Sequence, residues 1–103
     1  MIESTAMTRP QASPKVQIDN NRVKVTEWRF PAGSETGWHR HAMEYVVVPM
    51  TSGLLLLETL QGDIQSPLTA GVSYTRPMGV EHNVVNDSAH EFVFIEIELK
   101  QVP

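Results

Sequence analysis

The stretch GVSYTRPMGVEHNVVN, residues 71–86, sets Pro77 and Gly79 between two short segments rich in valine, tyrosine and threonine. Proline followed closely by glycine is typical of a tight turn, while β-branched and aromatic residues favour extended strands. Successive side chains of a strand point to opposite faces, so His82 and Val84 share one face. The stretch therefore predicts two β segments joined by a turn, with His82 on the same face as an apolar side chain.

The rest of the chain repeats this pattern of short β segments separated by turn residues. The β segments indicated by composition and alternation are 15–19, 22–30, 44–49, 54–60, 71–79, 81–87 and 91–100. No window shows the 3.6-residue periodicity of an amphipathic helix over three turns. Several short strands with regular turns favour an all-β antiparallel sandwich or barrel. Residues 1–13 are predicted to be a flexible polar arm, and residues 14–103 a single domain.

A second stretch, GWHRHAMEY at residues 37–45, places His39 and His41 on alternate positions. In a strand both imidazoles point to the same side, where they form a two-nitrogen clamp for a metal ion such as Zn, Fe, Ni or Cu. Alternating histidines also occur by chance, as two surface or core side chains without a ligand. From these two residues alone, both readings stay open.

The composition excludes several classes of site and partner. The 103 residues include no cysteine and carry a net charge of −4. Without thiolates, a metal centre has to be built from nitrogen and oxygen ligands. No cluster of lysines and arginines is present, so nucleic acid is not an expected partner. The first residues lack the apolar core of a signal peptide, and no apolar run is long enough to cross a bilayer, so a cytoplasmic protein with no membrane partner is predicted.

Together the two histidine-bearing stretches resemble the two signature motifs of the cupin family. Gly33, five residues, His39, one residue and His41 follow the first motif, and residues 71–86 follow the second without a gap. The resemblance is to small single-domain bacterial cupins, and it implies an antiparallel double-stranded β-helix, or jelly-roll barrel. It also implies that His82 joins the other two histidines to hold one divalent metal ion.

The family resemblance carries two further expectations. Cupins commonly pair barrel to barrel, which implies a homodimer with residues 14–30 and the last strand as contributors. The run of residues 22–49 also resembles a group of small cupins called β-alanine degradation proteins, which points to small-molecule catabolism.

The chain departs from the first motif at its glutamate ligand. In the motif, three or four residues separate that glutamate from the second histidine, which would place it where this chain has Tyr45 or Val46. In one account the turn is shorter, and Glu44 still reaches the metal as a fourth ligand or catalytic base. In the other, three histidines form the whole site, and Glu44 turns outward or makes a hydrogen bond behind the ligands. A three-histidine site leaves positions open for water, oxygen or a chelating substrate.

The cavity of such a barrel is filled by inward side chains, and seven residues are candidates to line it. Those candidates are Met43, Met50, Tyr74, Arg76, Met78, Phe92 and Phe94. For the methionines and phenylalanines, plain core packing is the main expectation. Arg76 is a candidate to orient a carboxylate or enolate by two parallel hydrogen bonds, the alternative being an exposed arginine at the barrel rim. Tyr74 is a candidate proton donor or packing group, and His90, in a predicted turn, is not expected to be a ligand.

The leading hypothesis for function is a mononuclear metal enzyme of the oxygenase or lyase type. The metal is expected to be iron, with Zn, Ni, Mn and Cu as alternatives, because nitrogen and oxygen ligands accept all of them. The substrate is expected to be a small oxygenated molecule such as a diketone or keto acid, turned over in a dioxygenase-type reaction if the metal is iron. Two alternatives stay open: a non-catalytic cupin that binds a small molecule or metal, and a cupin that converts sugar acids.

Overall fold

The computed structural model describes residues 8–101 of the chain. Within that part, nine β-strands form the framework. They are β1 (Ser13–Asp19), β2 (Val23–Phe30), β3 (His39–Arg40), β4 (Glu44–Pro49), β5 (Gly53–Thr59), β6 (Gly62–Leu68), β7 (Tyr74–Arg76), β8 (Glu81–Val85) and β9 (Phe92–Leu99). Among these described residues, no helix is long and apolar enough to cross a membrane.

The strands assemble into two antiparallel sheets. One has five strands in the order β1-β2-β9-β4-β7, and the other has four in the order β3-β8-β5-β6. Strands far apart in sequence lie side by side, as β2 does with β9 and β5 with β8. This crossing of the chain between two sheets is the jelly-roll arrangement, and it confirms the predicted all-β fold.

Alternation along β9 shows why this sequence builds a two-layer core. Phe92 and Phe94 face inward and are almost fully buried. They pair in register with Phe30 and Trp28 of β2. The rings of Phe30 and Phe94 lie 5.4 Å apart, and Phe30 is completely shielded from solvent. Burial of these large aromatic surfaces between the sheets supplies much of the hydrophobic stabilisation of the fold.

The outward face of the five-stranded sheet is also apolar. Its half-buried side chains include Val25, Val46, Val48, Ile95 and Ile97. The homodimer predicted from the family resemblance, which would cover such a face, stays a prediction.

Part of the predicted N-terminal arm is held against the barrel. Residues 1–7 lie outside the described residues. The backbone N–H of Ala12 donates to the carbonyl of Glu35 at 2.8 Å, and Gln11 forms an isolated parallel bridge with Glu35. Arg9 forms ion pairs with Glu35 and Glu58 at 2.9 and 3.1 Å. Residues 9–12 are therefore tied to the loop before β3 and to β5.

The aromatic core gives the first testable prediction. Phe30→Ala is expected to lower the free energy of unfolding by about 3–5 kcal/mol, because it leaves a void in a densely packed interior. Urea denaturation, followed by tryptophan fluorescence, measures the change. Leu60→Ala is the control, because that side chain is 71% exposed, and it is expected to change the same quantity by less than about 0.5 kcal/mol. Equal losses in the two variants would contradict the assignment of the core.

Candidate metal centre and cavity

Three histidines are brought together by the short ladder between β3 and β8. His39 lies directly opposite His82 in this antiparallel pair, so both side chains stand on one face of the sheet. His41 follows β3 and is held by two backbone hydrogen bonds of 2.8 Å: its N–H donates to the carbonyl of Val80, and the N–H of Gly79 donates to its carbonyl. Gly79 has a φ of 96°, a conformation that glycine adopts without strain. The turn predicted at this glycine thus fixes His41 beside the other two.

The imidazole nitrogens have the spacing that one metal ion requires. The Nε2 atoms of His39 and His41 lie 3.0 Å apart, and those of His41 and His82 lie 3.3 Å apart. Two nitrogens each about 2.1 Å from one ion, at angles of about 90–110°, are separated by about 3.0–3.4 Å. The ligand atoms of all three residues fall within 4.8 Å of one another. The histidines present therefore fit a divalent metal with nitrogen ligands.

The protonation states of these rings also fit metal binding. Burial, followed by the neighbouring histidines, lowers the pKa of His41 to about 4 and that of His82 to about 3. His39 lies 2.9 Å from the carbonyl of Gly37 through its Nδ1, and because a carbonyl only accepts, Nδ1 carries the proton. The Nε2 of His39 is then the nitrogen that faces Nε2 of His41, and neutral imidazoles, as in His41 and His82, are the form that a metal binds.

A polar network behind the histidines holds the loop that carries His39. The side-chain oxygen of Asn83 accepts a hydrogen bond of 2.9 Å from the N–H of Gly37. The amide nitrogen of Asn83 donates to Glu35 at 2.8 Å and to Glu58 at 2.9 Å. Hydrogen bonds from Asn83 and Arg9 lower the carboxyl pKa of both Glu35 and Glu58. The larger effect comes from Asn83 at Glu35 and from Arg9 at Glu58. The network consequently fixes the loop between β2 and β3 from the side opposite the cavity.

The histidines line a cavity of about 400 Å³ between the two sheets. This volume lies in the range of ordinary small-molecule sites. On the five-stranded side, register places four polar residues in one row that crosses β2, β9, β4 and β7: Lys24, Glu98, Tyr45 and Arg76. All four line the cavity. Nitrogen ligands on one wall thus face charged and hydroxyl groups on the other.

Tyr45 links the two walls. Its ring stacks on His41 with centroids 3.9 Å apart and an interplanar angle of 21°. Burial, and then the negative charge of Glu96, raises the pKa of the Tyr45 hydroxyl, so the phenol keeps its proton and can donate a hydrogen bond. Tyr74 is half-buried with a pKa also raised by burial, and the Arg76 guanidinium lies 5.1 Å from the centre of its ring. Tyr74 and Arg76 both line the cavity, and their predicted roles toward a substrate stay predictions.

Glu96 is a cavity residue to which sequence reasoning assigned no role. It lines the cavity from the centre of β9 and accepts a long hydrogen bond of 3.4 Å from the indole N–H of Trp28. Burial, and then the neighbouring Glu98, raises the pKa of Glu96 to about 7. The sequence did contain a sign of this residue. Phe92, Phe94 and Glu96 share one face of a predicted strand, and Glu96 places a carboxylate on that face where an apolar side chain is expected.

Glu44 is the predicted catalytic and metal-binding residue that the structure does not bring to the histidines. Glu44 is exposed, pairs with Leu99, and points away from the cavity because the inward position of β4 belongs to Tyr45. The expectation that Glu44 joins the metal ligands is thereby corrected in favour of the account in which it turns outward. His90 lies in an exposed loop, as predicted.

The predicted cavity lining also needs correction. Phe94 does line the cavity, whereas Phe92 packs in the core. Met50 and Met78 are 56% and 60% exposed, and Met43 lies in a surface groove beside Met78. Met43, Met50 and Met78 lie in turns, where successive side chains do not alternate between two faces as they do in a strand.

Comparisons with known proteins agree with this geometry. The model of the family described as "Cupin domain" matches residues 26–98. A curated relative from Pseudomonas aeruginosa, "Beta-alanine degradation protein BauB", is 64% identical over 92 residues, which cover 89% of this chain and 97% of the relative. A crystal structure of a cupin domain from Bordetella pertussis is 73% identical, with a TM-score of 0.91 over 92% of this chain and 99% of that one. A cupin-2 domain protein from Shewanella frigidimarina is 27% identical, with a TM-score of 0.62 over 92% and 87% of the two chains.

The network behind the histidines gives the second prediction. Asn83→Ala is expected to lower the free energy of unfolding by about 1–3 kcal/mol, because buried hydrogen-bonding groups lose their partner. It is also expected to weaken zinc binding about 10–100-fold, although Asn83 does not face the metal side, because the loop carrying His39 is released. Competition titration with a chromophoric chelator measures the zinc affinity. Asn21→Ala, in an exposed turn, is the control, and an unchanged zinc affinity in Asn83→Ala would refute the supporting role.

Proposed function

Because the chain belongs to the cupin domain family, we propose that it is a metal-dependent enzyme acting on a small oxygenated organic molecule such as a diketone or keto acid. The observation that carries the proposal is the meeting of three imidazole nitrogens at the wall of a cavity lined on its other side by Arg76, Tyr45 and Glu96. A site that only stored a metal would need no such second wall.

His39, His41 and His82 would hold the ion, and three protein ligands leave positions open to substrate. When bound, the metal supplies Lewis acidity toward substrate oxygens and, in the case of iron, the capacity to activate dioxygen. We propose iron as the physiological metal. Glu44 has no part in this scheme, since it faces away from the cavity.

The remaining cavity residues would bind and orient the substrate. The Arg76 guanidinium is a permanent cation with donors arranged to grip a carboxylate or enolate. The phenol of Tyr45, protonated and stacked on His41, can donate a hydrogen bond to a substrate oxygen near the histidines. Apolar side chains such as Leu55, Val47 and Phe94 limit the water around the reacting groups.

A role in catabolism of small acids is supported by the relative from Pseudomonas aeruginosa, which is called a β-alanine degradation protein. A carboxylic acid substrate also suits the chemistry of the cavity, because Arg76 and Lys24 supply positive charge to it.

Metal content tests the ligand assignment directly. His39→Ala and His82→Ala are expected to lose most of the metal, because either change removes one of three nitrogen ligands. His90→Ala and Glu44→Gln are the matched controls, and both are expected to bind about one equivalent. Elemental analysis of purified protein measures the stoichiometry, and oxygen consumption with acetylacetone, acetoacetate and pyruvate measures turnover of the iron-loaded form. Full metal content in both histidine variants would refute the site, while tight metal binding without turnover would favour a non-catalytic binding protein.

The anion-binding role of Arg76 can be tested with two probes of similar shape. Pyruvate is an anion and butane-2,3-dione is its neutral counterpart, so Arg76→Gln is expected to weaken only pyruvate binding, by about 10–100-fold, as a hydrogen bond to a charged group is lost. Calorimetric titration of the zinc-loaded protein measures both affinities. Arg29→Gln, on the exposed outer surface, is the control. Equal weakening of both probes would show that Arg76 only supports the shape of the cavity.

A further inference from the structure

Glu96 occupies an unusual place for a carboxylate. In register it lies between Thr26 of β2 and Val47 of β4, both buried, so its immediate cross-strand neighbours carry no charge. Its one hydrogen bond among the described residues is the long contact from Trp28. The side chain nevertheless lines the same cavity as the three histidines. A half-buried acid with so few partners is costly for the fold, and that cost indicates a use.

We propose that Glu96 is the proton acceptor of this cavity, removing a proton from the carbon beside the carbonyl group of a keto acid whose carboxylate rests on Arg76. The inference rests on the proposed function and names the residue that would perform its first chemical step. In that step a C–H bond of the substrate breaks, an O–H bond forms on Glu96, and the electron pair stays on the substrate as an enolate. No oxidant or reductant is consumed.

Other residues of the cavity are less suited to accept this proton. Tyr45 keeps its own proton because burial raises its pKa. The Nε2 atoms of the three histidines converge on one another, where they would hold the metal ion. Glu98 lies opposite Lys24 in register, whereas Glu96 has the uncharged Thr26 at the equivalent place. Of these two cavity carboxylates, Glu96 is therefore the one with no charged residue directly opposite it in register.

The charged and titratable groups around Glu96 set the pH at which it can act. On the five-stranded side these are Lys24, Glu98, Tyr45, Tyr74 and Arg76, and on the four-stranded side Arg40 and the three histidines line the same cavity. Burial and the charge of Glu98 raise its pKa to about 7, against attraction from Lys24 and the Trp28 hydrogen bond. The carboxylate, which is the basic form, therefore increases as pH rises through about 7. A base with a pKa near the working pH is well matched to proton abstraction.

The first test measures stability without metal or substrate. Because the folded state favours protonated Glu96, this residue stabilises the fold below about pH 4.5, and its contribution is lost as pH rises through about 7. Glu96→Gln is expected to remove that loss, so the variant becomes more stable relative to wild type as pH increases from 5 to 8. Glu91→Gln, an exposed glutamate next to β9, is the control with no such trend. A pH-independent difference for Glu96→Gln would overturn the inference.

The second test measures proton removal itself. Zinc-loaded protein, which has no redox chemistry, is incubated in D₂O with pyruvate or acetoacetate, and exchange of the C–H hydrogens is followed by proton NMR. Wild type is expected to accelerate exchange over the protein-free rate, with a rise through about pH 7. Glu96→Gln is expected to slow the protein-catalysed rate by 100-fold or more with unchanged zinc content, and Glu96→Asp to retain part of it.

The outcomes separate this inference from the proposed function. Protein that binds zinc and, with iron, consumes oxygen, but exchanges no substrate proton, contradicts the role of Glu96 alone. Wild-type exchange rates in Glu96→Gln contradict it as well. Protein that binds no metal at the histidines contradicts the proposed function and the role of Glu96 with it.

Discussion

The placement of His39 opposite His82 in a ladder of only two residue pairs is the constraint on which the site depends. Directly opposed residues of an antiparallel pair share a face, so this register alone brings together nitrogens that lie 43 positions apart in the chain. A slip of one residue would turn one imidazole away from the other. The two hydrogen bonds at His41 extend the same ladder, and the Gly79 turn allows them to form.

So short a ladder does not hold its register unaided, and the rest of the barrel supports it. On the outer side, Asn83 joins the loop before His39 to two carboxylates and, through them, to Arg9. On the inner side, the aromatic layer around Phe30 separates the sheets and leaves room for the cavity at one end. The protein thereby keeps the imidazoles of His41 and His82 neutral and shielded from water, a state that isolated histidines in water do not hold at acidic pH.

The amino-acid sequence predicts the fold and the histidines better than it predicts the opposite wall. Alternation in H-x-H places two rings on one face, and the spacing of residues 71–86 adds His82 through family resemblance. The position of Glu44 could not be read in the same way, because the phase of β4 depends on a turn of two residues after His41. The network of Arg9 and Asn83 joins four separate segments, and contacts between residues so far apart in the chain cannot be predicted from a local sequence pattern. Glu96 was visible as an acidic residue on an apolar face, but its low solvation arises only when the second sheet covers it.

The cavity draws its two kinds of side chain from two different sheets. The histidines come from β3, β8 and the residue after β3, whereas Lys24, Tyr45, Arg76 and Glu96 come from the five-stranded sheet. Under the proposed function, a mutation in the five-stranded sheet would alter substrate selectivity while the three histidines are unchanged. Such a separation would make the scaffold evolvable: a lineage, or a laboratory library restricted to that sheet, would explore new substrates while keeping the histidine site.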